Sequence, residues 1–403
     1  MVNNKFFGNN NIIPVVMFHS VGAENNDWVF SYISEPCSAF ESKIRHLKKG
    51  GFNFITWSDL YEYMQGIRQF ELPAILLTFD DGYLDNWVNV YPILKKYGAK
   101  GTIFMSTDFV DPSTDCRPNI DDLHAGRCTE QDLDISGFLN WSEMREMEKS
   151  GVMDIQSHAA THTWYFTEDA VIDFWGHNSR EYPWMPWNVC LEEKTNYMRN
   201  DQANLVAPGT PIYKNQKSLV ARRFFPAKEI ADEITEYVKN NGTDKFFQKT
   251  GWESELRGLH QTLSQKYSEH SRYETDAERR ARMMDELKGS KDILEKNLGK
   301  TIDFICWPGG GYDDTTLDVA VEAGYKSWTL GSQDQSDYRN VPGANPQYIK
   351  RIGSAITQKW RGKTLGYTNG LEFYYGVKRH QGSVYHKWGG RVLRAIRIAL
   401  SRF

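Results

Sequence analysis

Short apolar runs alternate with amphipathic stretches over residues 12–162, and the same rhythm resumes from about residue 276. That alternation marks repeated βα units built around a parallel sheet or barrel. The apolar runs predict strands at Ile12–Phe18, Phe52–Thr56, Ala74–Phe79, Gly101–Ser106, Met153–Ser157, Ile302–Trp307, Tyr325–Leu330 and Tyr348–Ile352. A 3.6-residue period predicts helices between most of them, at Ser38–Lys49, Ser58–Gln65, Asp85–Tyr97, Ser142–Lys149, Asp276–Leu298 and Asp314–Ala323. Ser58 and Ser142 stand where N-caps belong, and Gly98, Gly151, Gly299 and Gly324 fall just past helix ends, where a left-handed residue closes the last turn.

Two regions break the pattern. Between His162 and Tyr273 lie about a hundred residues rich in Trp, Tyr, Pro and Asn, too many for a βα loop, turning helical around Lys228–Lys239. This segment reads either as a wall for a substrate or as a cap that packs on itself. From Lys378 onward the chain holds basic residues and histidines but no acidic side chain. On a helix, Trp388, Val392, Ile396, Ala399, Leu400 and Phe403 fall on one side, and Lys387, Arg391, Arg394 and Arg402 towards the other. Such a helix fits a membrane surface, or it docks on its own domain. The expected organisation is therefore a split domain, 12–162 with 276–355, an aromatic-rich insertion at 163–275, and a basic extension at 356–403.

Composition narrows the functional classes. A net charge of −4 gives no case for nucleic acid, which calls for a basic face. The cysteines, Cys37, Cys116, Cys128, Cys190 and Cys306, are odd in number and lack a CxxC spacing, so they indicate neither a disulfide framework nor a thiolate zinc site. Met1–Asn11 carries no apolar signal region, and no run approaches transmembrane length. The expected location is cytoplasmic, with peripheral contact to the inner face of the membrane through the basic tail.

Chemistry gathers at predicted strand ends. Ala74–Leu77 leads into Thr78-Phe79-Asp80-Asp81-Gly82, where two carboxylates meet a glycine that allows the chain to turn. Ser157-His158-Ala159-Ala160-Thr161-His162 places two histidines at i and i+4, on one face if the segment is a helical turn. Alone, that spacing is commonplace; with a carboxylate from another strand it makes a donor set of two nitrogens and one oxygen with positions left open.

Together these motifs resemble the polysaccharide deacetylase family, carbohydrate esterase family 4, also called the NodB homology domain. The resemblance implies a distorted (β/α) barrel of that type with a large insertion between strands 5 and 6. By motif, Asp80 would be the general base, and Asp81, His158 and His162 would hold a divalent metal, zinc being the first choice. Met17-Phe18-His19-Ser20-Val21 resembles the family's first-strand segment, which places His19 near the mouth, as a catalytic or a structural histidine. Cys306-Trp307-Pro308-Gly309-Gly310-Gly311-Tyr312 stands where the family has an aromatic turn; Gly309 replaces the usual tyrosine, and its N–H could still serve as oxyanion donor. Asp334-Gln335-Ser336-Asp337-Tyr338 and Arg351-Ile352 resemble two further family segments. The usual C-terminal general-acid histidine is missing, leaving His19, His380 and His386 as candidates. The implied activity is hydrolysis of an N-acetyl group on an amino sugar of a cell-surface glycan or its lipid-linked precursor. Removal of a formyl group or hydrolysis of a small amide are alternatives, as is a glycan-binding protein on a decayed scaffold.

Overall fold

The computed structural model describes residues 6–23, 28–71, 73–176, 179–331, 337–355, 357–360 and 363–400. Asp334–Ser336, Arg402 and Phe403 lie outside them. The chain forms two compact units, one of residues up to His158 with Asp292–Gly310 and Tyr325 onward, the other of Ala159–Lys291 with Gly311–Gly324.

In chain order, β1 (Val15–Phe18), β2 (Asn53–Ile55), β3 (Ala74–Phe79), β4 (Gly101–Met105) and β5 (Met153–Ser157) come first; β6 (Trp164–Phe174) and β7 (Pro211–Lys217) form an antiparallel hairpin in the second unit; β8 (Phe304–Ile305), β9 (Ser327–Thr329), β10 (Tyr348–Ile349) and β11 (Ile352–Gly353) return to the first. The first unit's sheet runs β10-β9-β8-β5-β4-β3-β1-β11, with β2 paired to β3, and every pairing is parallel. Its strands are buried nearly throughout, as parallel strands covered on both faces should be. Ile55, Trp57, Leu60, Leu76, Phe104, Phe304 and Ile349 form one apolar cluster.

The predicted strand Tyr348–Ile352 is two strands. Tyr348–Ile349 pairs with β9 at one end of the sheet, and Ile352–Gly353 pairs with β1 at the other. Only Lys350 and Arg351 separate them, so the sheet must curl until its two ends nearly meet, and Arg351 lies at the seam.

Helices α1 (Cys37–Lys49), α2 (Trp57–Met64), α3 (Tyr91–Tyr97) and α4 (Trp141–Lys149) follow strands, as the periodicity predicts. The N-caps of α2 and α4 are Thr56 and Asn140, each two residues before the predicted serine. Both close capping boxes, with Asp59 and Glu143, and Ser58 and Ser142 lie inside the first turn. Asp85–Tyr97 opens with a π-helical turn, Asn86–Val90, before α3. The four predicted C-terminal glycines all have positive φ.

The second unit has its own core. Helices α5 (Lys228–Asn240) and α6 (Trp252–Lys266) contribute Ile230, Ile234, Val238, Leu256 and Leu263 to a cluster with Phe174 of β6. The predicted long helix is α7 (Asp276–Met284), a π-helical turn at Asp285–Gly289, and α8 (Ser290–Leu298); α9 is Asp314–Glu322. The chain ends in α10 (Gly370–His380) and α11 (Val384–Leu400).

Candidate active site

The backbone turns at Asp81 itself. Its φ is +74° and that of Gly82 is +73°, so the left-handed turn starts one residue before the glycine. A left-handed non-glycine residue is uncommon and strained, and the turn sends the two carboxylates in different directions. Gly82 is required for a second reason: a Cβ there would lie 2.0 Å from Met105 Sδ.

Asp80 points into the protein. It is buried, and Arg351 grips it with both arms, Nη1 to Oδ1 at 2.7 Å and Nη2 to Oδ2 at 2.8 Å. The Cys306 thiol lies 3.5 Å from Oδ2 and 3.1 Å from Arg351 Nη2, and Arg351 also reaches Thr78 Oγ1. Burial pushes the Asp80 carboxyl up, but the Arg351 guanidinium, aided by His19 and His158, outweighs it and holds the acid below the ordinary carboxylate range. Arg351 thus keeps Asp80 ionised where burial alone would protonate it. The sequence assigns this role to neither Arg351 nor Cys306; its one signal is the resemblance of Arg351-Ile352 to a family segment.

Asp81 turns the other way, its Oδ1 3.1 Å from His158 Nε2. His158 is locked from three sides: its N–H donates to Met105 C=O, Ser106 Oγ donates to its C=O, and Nδ1 lies 2.8 Å from Cys306 C=O. A ring whose Nδ1–H donates to a carbonyl presents its Nε2 lone pair outward, as a metal ligand needs. The motif is a loop and not the predicted helical turn; Ala159 has φ +58° and His162 φ +41°, which a right-handed helix cannot contain. Asp81, His158 and His162 nevertheless each offer one donor atom within 4.8 Å of the others. Asp80, His158 and Cys306 form a second such set. There the Arg351 guanidinium already holds the carboxylate and touches the thiol, so a further cation would meet like charge. One carboxylate and two neutral imidazoles fit a divalent metal with open positions, zinc among them.

His19 follows β1, and its Nε2 is 3.9 Å from Asp80 Oδ2. Asn86 Nδ2 donates to its carbonyl at 3.0 Å, and the next residue, Ser20, donates to buried Asp85. The other candidate acids sit elsewhere. His386 bonds Ser383 Oγ and lies against the rings of Tyr374 and Tyr375; His380 has Arg339, Arg379 and Lys350 as its charged neighbours. Gly309 adopts a left-handed conformation, φ +56°, in the turn Pro308–Gly310 beyond Cys306.

Burial pushes the Asp85 carboxyl up to about 7, against hydrogen bonds from Ser20, Val21 and Asn86 that favour its ionised form. An acid whose folded pKa exceeds its unfolded one holds a proton that the unfolded chain has lost, so it stabilises the fold at low pH. That contribution is lost as pH rises from about 4 through about 7, roughly 4 kcal/mol in all. Asp85→Asn removes the titration, and its denaturation midpoints should vary less than the wild type's between pH 5 and 7. Equal slopes would place the titration elsewhere.

The sequence profile described as polysaccharide deacetylase matches residues 68–200 and 233–328, more than half of the chain. The chain belongs to the polysaccharide deacetylase family. Among relatives, YxkH of Bacillus subtilis is 29% identical over 150 residues, 37% of this chain and 43% of that protein. The poly-β-1,6-N-acetyl-D-glucosamine N-deacetylase of Escherichia coli K12 is 26% identical over 37% of this chain and 20% of its own length. The Staphylococcus aureus enzyme of the same name is 30% identical over 30% of this chain and 35% of its own. The chain thus spans less than half the length of each of these relatives. The BpsB deacetylase domain of Bordetella bronchiseptica superposes with a TM-score of 0.50 at 19% identity, over 86% of this chain and 97% of that one, a likeness of fold. In this polysaccharide deacetylase family member the aromatic turn is Trp307-Pro308-Gly309, with glycine in the third place.

Proposed function

We propose that this protein hydrolyses the N-acetyl group of an amino sugar in a cell-surface glycan or its lipid-linked precursor, releasing acetate, with zinc as its metal. The observation that carries the reading is the division of labour on one strand end: Asp80 is charge-locked by Arg351, while Asp81 faces His158. The N-deacetylase names of the E. coli and S. aureus relatives support an N-acetylglucosamine polymer as the substrate class.

Asp81, His158 and His162 would hold the metal. When bound, a divalent metal supplies Lewis acidity to the acyl carbonyl and to the water that attacks it. Asp80, fixed outside that donor set, takes the proton of the attacking water. The Gly309 N–H serves as a donor to the developing oxyanion, a role that needs no side chain. His19, whose Nε2 is 3.9 Å from Asp80 Oδ2, would return a proton to the departing amine, the step for which the sequence offers no C-terminal histidine. Without a tyrosine ring at Gly309, this face of the site admits a bulkier sugar. A substrate presented at a membrane surface would suit a chain whose last helix is basic and amphipathic.

The test is acetate release from N-acetylglucosamine oligomers by the purified protein. Activity should vanish on treatment with a chelator and return with zinc. Metal-loaded protein that releases no acetate from N-acetylated glycans would overturn the reading, and formate in place of acetate from a formylated analogue would redirect it to deformylation.

A further inference from the structure

Helix α11 bears on both sequence expectations for the tail, because its two faces have different surroundings. One face docks on α10. The His386 ring lies 5.5 and 4.9 Å from the Tyr374 and Tyr375 rings, Arg397 pairs with Glu372 at 2.6 Å, and a Cβ on Gly389 would come within 2.3 Å of the Tyr375 ring. These contacts fix the helix's rotation about its axis. The opposite face is then held in solvent: Trp388 is 59% exposed, Val392 58%, Ile396 51% and Leu400 70%, at four-residue spacing.

The N-terminal segment extends this stripe. Tyr385 N–H and Ser383 Oγ both donate to the Phe6 carbonyl, and the Phe6 ring lies 5.9 Å from that of Tyr385. Phe6 and Phe7 are both more than half exposed. Sequence alone gave no sign that residues so far apart in the chain share one surface. Apolar side chains in a continuous exposed strip mark a place where something binds.

We propose that this strip, formed by Phe6, Phe7, Tyr385, Trp388, Val392 and Ile396, is a docking surface for an anionic lipid bilayer, with α11 lying in the plane of the headgroups. Charge selects this occupant. Between Val384 and Leu400 there is no acidic residue, and exposed Lys387 and Arg391 border the strip. The Arg391 guanidinium stacks over the Trp388 ring at 4.5 Å, putting a cation beside an interfacial aromatic, where both would meet the headgroup layer. A second copy of the chain is the poorer fit, because two-fold pairing of this face would bring its cations together with no acidic side chain of the helix to offset them. Among the described residues no helix is long and apolar enough to cross a membrane, so α11 lies on the bilayer and does not span it.

The experiment is co-sedimentation of the full chain with phosphatidylcholine vesicles and with mixed phosphatidylcholine–phosphatidylglycerol vesicles, at low and high salt. Binding should require the anionic lipid and weaken with salt. Lys387→Glu or Arg391→Glu should each lower partitioning roughly fivefold or more. Trp388→Ser with Val392→Ser and Ile396→Ser, all on the exposed face, should abolish it while leaving the thermal midpoint unchanged. A chain that stays in the supernatant with both vesicle types would overturn the proposal. So would equal binding by the triple variant, or a dimer in sedimentation velocity that the triple variant dissolves. None of these outcomes depends on whether the deacetylase reading holds.

Discussion

Asp80→Asn should lower kcat for acetate release by about a hundredfold to ten thousandfold, the range for loss of a positioned general base. The substitution removes the proposed proton acceptor and leaves Asp81 and His158, the neighbouring candidate metal donors, untouched. Zinc content by elemental analysis should therefore stay at the wild-type level while turnover collapses. The matching change at the next residue, Asp81→Asn, should do the reverse first and lower metal content before anything else. If Asp80→Asn retained wild-type turnover, the base would have to be another group, with His19 the nearest.

The second large effect concerns Arg351. Arg351→Met removes the cation from a bidentate pair and strands the Asp80 carboxylate in a buried site. Breaking such a pair from one side costs about 3–5 kcal/mol, because the remaining charge is left desolvated. The burial that Arg351 now helps to override would be opposed only by His19 and His158, and the Asp80 pKa should rise. Asp80 in the native protein adds stability that is present above the ordinary carboxylate pKa and lost as pH falls through its lowered value. In the variant that contribution disappears and the acid limb of the kcat/KM profile moves to higher pH. The double variant Asp80→Asn with Arg351→Met should unfold at a higher denaturant concentration than Arg351→Met alone, since no charge is then left stranded. A purely steric role for Arg351 predicts an unmoved acid limb and no recovery in the double variant.

How much could be read from the chain followed from how local each feature is. The βα rhythm and most strand positions were legible because a buried parallel strand is a short apolar run with turn residues at its ends. Asp80-Asp81 and His158–His162 were legible because each pair lies in one continuous segment. The shape of the histidine segment was not: i and i+4 suit a helical turn, but positive φ at Ala159 and His162 makes it a loop, and spacing does not encode that choice. The capping residues were misplaced because Ser58 and Ser142 are as good in isolation as Thr56 and Asn140; the capping boxes with Asp59 and Glu143 decided between them. The partnership of Arg351 and Asp80 joins residues 271 positions apart, and it exists only because the sheet curls far enough to bring β11 beside β1. The docked and exposed faces of α11 likewise depend on where α10 lies. A helical projection finds the two faces but not which one meets protein.

The seam between β10 and β11 also orders events in time. A ribosome makes Asp80, Asp81, His158 and His162 well before it makes Arg351. Until then, an Asp80 buried without its guanidinium would be pushed towards its neutral form. If Asp80 is the base, a nascent chain would carry the proposed catalytic motifs in a silent form, with reactivity expected only once the last strand of the sheet stands beside the first.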